Sequence, residues 1–355
     1  AGEVSFSSGA LSLESVNDHA DELAAIGQSL GDNGNLFLWT CHTAQSKHGQ
    51  SFVEALSRAS GAMVAATTKL VGTADKGGSW ELDTPVGTRK TTAPLTATGQ
   101  TNYTGVMATF DGTSGNDVAN ATTGTLTGFT GGNVADLQDA NGDTFNAQGG
   151  DDTIVAGGGN DTINNFVGTD SVDGGAGTQD TLVFVSTTAA DLATATDAQL
   201  TNVERINATG MAGNTLNLAN QTEGFIITTS SASMTVTGST GADTITTVAG
   251  FDTINGFVGA DTVDGGVGTD TLALSITSND LNSAADTQLV NVENVTLTAG
   301  GVTLNLGNQS EAFTITGSTG NDSITATNQA DTITGNAGDD TIVAGGGNDT
   351  INNFV

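Results

Sequence analysis

Twelve aspartates stand in three blocks at a constant step of nine: Asp143, Asp152, Asp161 and Asp170; Asp243, Asp252, Asp261 and Asp270; Asp322, Asp331, Asp340 and Asp349. Two places after each comes an apolar residue, such as Phe145, Ile154, Ile163 and Val172 in the first block, and Gly usually sits two places before, as at Gly150, Gly159, Gly241, Gly268 and Gly338. Carboxylates repeated in this way, on a chain with 7 Lys plus Arg against 39 Asp plus Glu and a formal net charge of −32, attract cations. The same charge argues against nucleic acid and anionic membrane as partners, because almost no basic surface exists to bridge them. An α-helix neither uses a nine-residue step nor tolerates so much Gly. Fifty Gly, 5% aromatics and high net charge would ordinarily mean disorder, yet the 36% of hydrophobic residues fall at regular intervals, which argues for an ordered repeat.

Residues 265–273 read GGVGTDTLA and resemble the nonapeptide G-G-x-G-x-D-x-U-x of the repeats-in-toxin (RTX) family, with U large and apolar. The resemblance extends over about 240 of the 355 residues, interrupted by segments without the nonad. It implies a mainly β fold, a parallel β-roll or β-solenoid, in which the first six residues of a nonad turn, the last three form a strand, and two nonads complete a coil. Gly supplies the positive φ that turns carbonyls inward, and Asp carboxylates with those carbonyls form a hard oxygen set suited to Ca2+. With two nonads per coil, the expected ion-sharing pairs are Asp143/Asp161, Asp152/Asp170, Asp243/Asp261, Asp252/Asp270, Asp322/Asp340 and Asp331/Asp349. The competing reading is a metal-free solenoid whose Asp side chains fill turns by accepting from nearby backbone N–H groups. Degenerate turns favour it locally: Asn328, Gln329 and Ala330 precede Asp331 without a Gly, Asn141 stands where Gly is expected before Asp143, and Phe166, Val167 and Val248 occupy the turns of Asp170 and Asp252. Asp117 reads as an isolated nonad and Asp180 as one residue out of step.

The elements that carry these turns recur on a longer scale. Residues 150–167 (GDDTIVAGGGNDTINNFV) return unchanged at 338–355, QLTNVERI at 199 resembles QLVNVENV at 288, and TGSTGADTI at 237 resembles TGSTGNDSI at 316. The solenoid is expected over 113–355, with blocks near 143–180, 243–272 and 322–351. Segments 181–237 and 271–316 keep alternation without the nonad and are expected to add metal-free coils or lateral strands, with DLATATDAQL and DLNSAADTQL as short helices or loops at the side. Residues 91–112 read as a Thr-rich linker. The chain opens on Ala1 and stops inside a further copy, as a piece of a longer polypeptide would.

Residues 1–90 follow a different pattern. Val16, Ala20, Leu23, Ile26 and Leu30 trace an amphipathic helix after Ser15-x-x-Asp18, the run LFLW at 36–39 a buried strand, Phe52, Leu56 and Ala59 a second helix closed by Gly61, and residues 63–66 another strand, which together predict a parallel βαβ unit; residues 80–82 are expected to add a strand. NLFLWTCHTAQ with GQSFVEALSRASGAMVAAT is similar to the carboxyl-terminal part of a caspase-like α/β domain. That resemblance makes Cys41 a candidate nucleophile, but its partner His would lie before Ala1, and His19, His42 and His48 are poorly placed to replace it. HExxH, GxSxG and P-loop signatures are missing, as are an apolar run long enough to span a bilayer and a second cysteine for a disulfide.

The sequence therefore predicts a secreted, calcium-binding structural protein of a bacterial surface, of surface-layer, adhesin or matrix-filament type, with self-association or surface and glycan contact as its interactions and no enzymatic activity. The alternative is a cysteine-dependent self-processing or peptidase module carried on a calcium-binding stalk.

Overall fold

The structure is a computed structural model, and the residues it describes are 3–6, 9–13, 15–30, 35–39, 43–44, 46–72, 78–85, 108–184, 189–211 and 215–354. Cys41 and His42 lie outside the described residues, as does most of the expected linker.

In the amino-terminal region the strand Asn35–Phe37 pairs in parallel with Met63–Ala66, and the helix Lys47–Ser60 connects them, so the expected βαβ unit forms. Ser46 caps that helix by accepting from the Gly49 amide at 3.0 Å, and Gly61, with φ 69°, closes it by donating to the Ser57 carbonyl. Phe52, Val53, Leu56 and Val64 are buried between helix and sheet. The helix Ala20–Leu30 comes so close that a Cβ on Gly27 would lie 1.6 Å from the Ser60 carbonyl oxygen. Residues 80–82 differ from expectation: Trp80 and Glu81 form a bend between the short strands Gly78–Ser79 and Thr84–Pro85, because two apolar residues on either side of a charged Glu81 make too short a run to hold a strand. Replacing Ser46 by Ala is expected to cost about 1 kcal/mol, read as a lower melting temperature of this region, because the Gly49 amide loses its acceptor.

From Ala108 onward the chain winds into a parallel β-solenoid. Its first strand, Thr109–Asp111, lies just ahead of the expected start at 113 and pairs with Thr144–Asn146, which pairs with Thr162–Asn164. Nonads alternate between two walls. Thr144, Thr162 and Thr181 are register partners on one wall, and Thr153 and Ser171 on the other, so a full coil takes two nonads. Ten-stranded and three-stranded sheets build one wall in turn, and five-stranded and eight-stranded sheets the other. The apolar residue of ten of the twelve nonads, Phe145, Ile154, Ile163, Val172, Ile245, Ile254, Val263, Leu272, Ile324 and Ile333, is buried in one continuous core, while Ile342 is partly buried against it and Ile351, in the last nonad, is exposed. The Phe110 and Phe145 rings stack within it at 4.9 Å and 8°.

The segments without the nonad also form coils. Arg205–Ala208, Thr215–Asn217, Ile226–Thr229 and Thr235–Thr237 extend the walls after the first block, and Asn294–Leu297, Thr303–Asn305 and Thr314–Thr316 do so after the second. DLATATDAQL supplies two 3-10 turns, Leu192–Thr194 and Asp197–Gln199, and its counterpart supplies the helix Asn279–Ser283 and the turn Asp286–Gln288. These insertions sit on opposite edges. The first leads from the ten-stranded sheet to the five-stranded one, and the second from the eight-stranded sheet to the ten-stranded one. The repeating unit therefore contains an odd number of half-turns: Arg205–Ala208 lies in the ten-stranded sheet, and its counterpart Asn294–Leu297 in the eight-stranded sheet.

Candidate metal centre: the aspartate stacks

Each aspartate of a nonad stands at the end of a turn, immediately before its strand. The strand ladder brings it under its counterpart one coil away, where its Oδ1 accepts a backbone N–H. The Asp143 amide donates to Asp161 at 2.6 Å, Asp152 to Asp170 at 2.8 Å, Asp243 to Asp261 at 2.9 Å, Asp252 to Asp270 at 2.7 Å, Asp322 to Asp340 at 2.9 Å and Asp331 to Asp349 at 3.0 Å. All six expected pairs are thus stacked in register.

Both aspartates set aside by the spacing join the stacks. The Asp161 amide donates to Oδ1 of Asp180 at 2.6 Å, and the Asp117 amide to Oδ1 of Asp152 at 2.8 Å. Asp180 appears out of step because its turn holds one more residue, which the turn absorbs without moving the strand Thr181–Val183 off its partner. Two further members were not anticipated. Glu204 accepts from the Asp180 amide and Glu293 from the Asp270 amide, each at 2.8 Å, so a glutamate ends each of these stacks. The signal was the shared NVE of QLTNVERI and QLVNVENV, directly before a strand in both copies. The stacks at Asp170 and Asp261 end differently: Gln199 and Gln288 of the insertions donate to the carbonyls of Asp170 and Asp261, at 3.0 and 3.1 Å.

Electrostatically the stacks are costly as they stand. Asp143, Asp152, Asp161, Asp170, Asp180, Asp243, Asp252, Asp261 and Asp270 are all buried. Burial pushes Asp143 up to about 8, Asp161 up to about 7, and Asp152, Asp180 and Asp261 up to about 6. It also raises Asp170, Asp243, Asp252 and Asp270. For Asp143, Asp161, Asp180 and Asp270 every acting charge is another carboxylate, which raises them further. Among the described residues, the ion pair Lys69–Asp83 lies in the amino-terminal region, and no Lys, Arg or His pairs with a stacked aspartate.

The donor set fits a hard divalent cation. Oδ2 of Asp152, Asp161, Asp180, Asp252, Asp270 and Asp340 is buried without a hydrogen-bond partner. Carbonyls converge on the same places: a Cβ on Gly177 would lie 2.3 Å from the Gly159 carbonyl oxygen and 2.4 Å from Oδ2 of Asp180. The turns of Asp143, Asp161 and Asp180 line an open groove, with Asn141, Gly158, Gly159, Asn160, Ala176 and Gly177 along it. No three His, Cys, Asp or Glu side chains converge among the described residues, so a bound ion would draw its remaining ligands from main-chain carbonyls, which Ca2+ accepts readily.

Residues 139–165, 146–178, 237–272 and 316–351 each match the RTX calcium-binding nonapeptide repeat. The solenoid carries RTX repeats. RTX nonapeptide repeats are calcium-binding, so calcium is the cofactor of this β-roll and the fold is the parallel β-solenoid expected from them. Residues 1–107 match a domain of unknown function (DUF4347). No curated protein and no solved structure matches the chain. Among the described residues no helix is long and apolar enough to cross a membrane.

Proposed function

We propose that the chain is an extracellular structural protein of a bacterial surface, of surface-layer, adhesin or matrix-filament type, whose RTX repeats are ordered by calcium into a stiff rod. In this reading the carboxylate ligands come from among the twelve nonad aspartates and Asp180. The observation that carries it is the run of stacked, buried carboxylates with open oxygens and, among the described residues, no basic side chain paired with them. Such a stack repels itself until a divalent ion replaces the missing counter-charge. Extracellular calcium modules work at dissociation constants of roughly 10⁻⁴–10⁻³ M, so ordering of this kind would take place after export. The Thr-rich outer positions of the walls, such as Thr144, Thr162, Thr244 and Thr262, offer a regular polar surface for self-association or glycan contact.

Two measurements test this reading. Small-angle scattering in about 10 mM calcium (ten times the weaker constant above) is expected to give a long, thin particle, and calcium removal a more expanded, flexible one. Protease treatment of intact producing cells is expected to remove the protein. Identical scattering profiles with and without calcium would refute the ordering role, and full protection from protease the surface location.

A further inference from the structure

The open oxygens are not distributed at random, and the residue four places before the aspartate separates them. At Asp117, Asp243, Asp322 and Asp331 that residue is Thr113, Ser239, Ser318 or Thr327. In all four turns its amide donates to Oδ2 of the aspartate, at 2.7 Å for Ser239, 2.8 Å for Ser318 and 3.0 Å for Thr327. Its hydroxyl donates to the same carboxylate at 3.0 Å for Thr113, 2.8 Å for Ser318 and 2.9 Å for Thr327, while the Ser239 hydroxyl, 3.1 Å from Oδ1 of Asp243, shares its proton with the nearer Glu223 carbonyl. The hydroxyl oxygen accepts in return from the amide two residues on, at 3.0–3.1 Å in every case. The network survives at Asp331, whose turn has no glycine.

At Asp152, Asp161, Asp270 and Asp340 the same position is Gln148, Gly157, Gly266 or Asn336, each at positive φ: 65°, 106°, 76° and 67°. No donor then reaches Oδ2, and all four Oδ2 atoms are buried without a partner. Asp180 and Asp252 share the open Oδ2, although the residues four places before them, Ala176 and Val248, are not at positive φ. A third arrangement occurs where Phe166 or Phe257 takes the position. The ring enters the core, and the next amide, Val167 or Val258, donates to Oδ2 of Asp170 or Asp261 at 2.8 Å.

Resting on the calcium reading above, we propose that this position decides which turns take calcium: a hydroxyl or a core-facing Phe seals the carboxylate and makes the turn self-sufficient, whereas a residue that supplies neither leaves it open to the ion. An N–H and an O–H aimed at Oδ2 occupy its lone pairs and place positive dipoles where a cation would bind. The rod is then built in two ways. Asp161/Asp180 and Asp252/Asp270, open on both sides, are ion sites. Asp243/Asp261, sealed on both sides, holds no ion, although its spacing is equally regular.

The test uses the full chain with calcium as probe, counting bound ions by native mass spectrometry and calorimetry, with far-UV circular dichroism to confirm folding. D180N and D270N are each expected to lose one ion and D243N none. Loss of an ion in D243N, or an unchanged count in folded D180N or D270N, would overturn the proposal. If the unmutated chain bound no calcium, the calcium reading itself would fall and this one with it, an outcome distinct from a shifted pattern among the variants.

Discussion

Stripping calcium at pH 8 is expected to abolish most of the β-sheet circular dichroism and the cooperative melt of the solenoid, and acidifying the stripped, desalted chain to pH 5 to restore part of both. Two linked effects produce this. Calcium at ten times its dissociation constant adds about 1.4 kcal/mol per site, so several sites amount to a large share of a domain's stability. Without the ion, the stacked carboxylates must be charged in place. Their folded pKa values are raised above the ordinary 3.8, to about 8 at Asp143 and about 7 at Asp161. A raised value means that the folded state holds protons the unfolded state has released. Stability is therefore fully present below about pH 4 and is lost as pH rises through the folded values, across roughly pH 4–8. Calcium reverses the trend, because it binds the ionised form and displaces the proton. Thermal melts at pH 5 and pH 8, with and without calcium, check the sign. A calcium-free melting temperature that rises with pH would contradict it.

Phe145→Ala is expected to cost about 3–5 kcal/mol, confined to the coils around it. Phe145 is fully buried, stacks on Phe110 and meets Phe129 edge-on at 6.3 Å, so truncation opens a cavity in the first coils of the roll. Each coil contacts only its neighbours, and the loss should fade along the rod. Amide hydrogen exchange is the suitable measurement. Protection is expected to fall in the strands Thr109–Asp111, Thr144–Asn146 and Thr162–Asn164 and to persist at Thr253–Asn255 and Thr332–Asn336. Uniform deprotection from end to end would show that the solenoid is a single cooperative unit instead.

What could be read from the residues divides along physical lines. The nine-residue step, the inward apolar position and the pairing of aspartates one coil apart were accessible, because a parallel ladder forces identical positions to stack. The helix Lys47–Ser60 was accessible because Ser46 and Gly61 mark its two ends. Asp180 was discounted because strict counting assumes a rigid turn, and turns tolerate an added residue where strands do not. Glu204 and Glu293 were passed over because they lie outside the nonad, although they do the same work one carbon longer. The sealing of Oδ2 by Ser239 or Thr327 was hidden for another reason: half of it comes from a backbone amide whose direction depends on φ, and no side-chain pattern records that. Residues 80–82 show the reverse: Trp80 and Leu82 read as strand residues, but the structure gives them no pairing neighbour.

The odd count of half-turns in the repeating unit has a mechanical consequence. An insertion such as Asn279–Ser283 is a wedge on one edge of the stack, and wedges always on the same edge would coil the rod into an arc. Here the counterpart, Leu192–Thr194, lies on the other edge, so the tilt introduced by one unit is taken back by the next. Parity alone would then oppose curvature in such a stack, and inserting or deleting a single nonad between the two insertions is expected to set both on one edge and favour a bend.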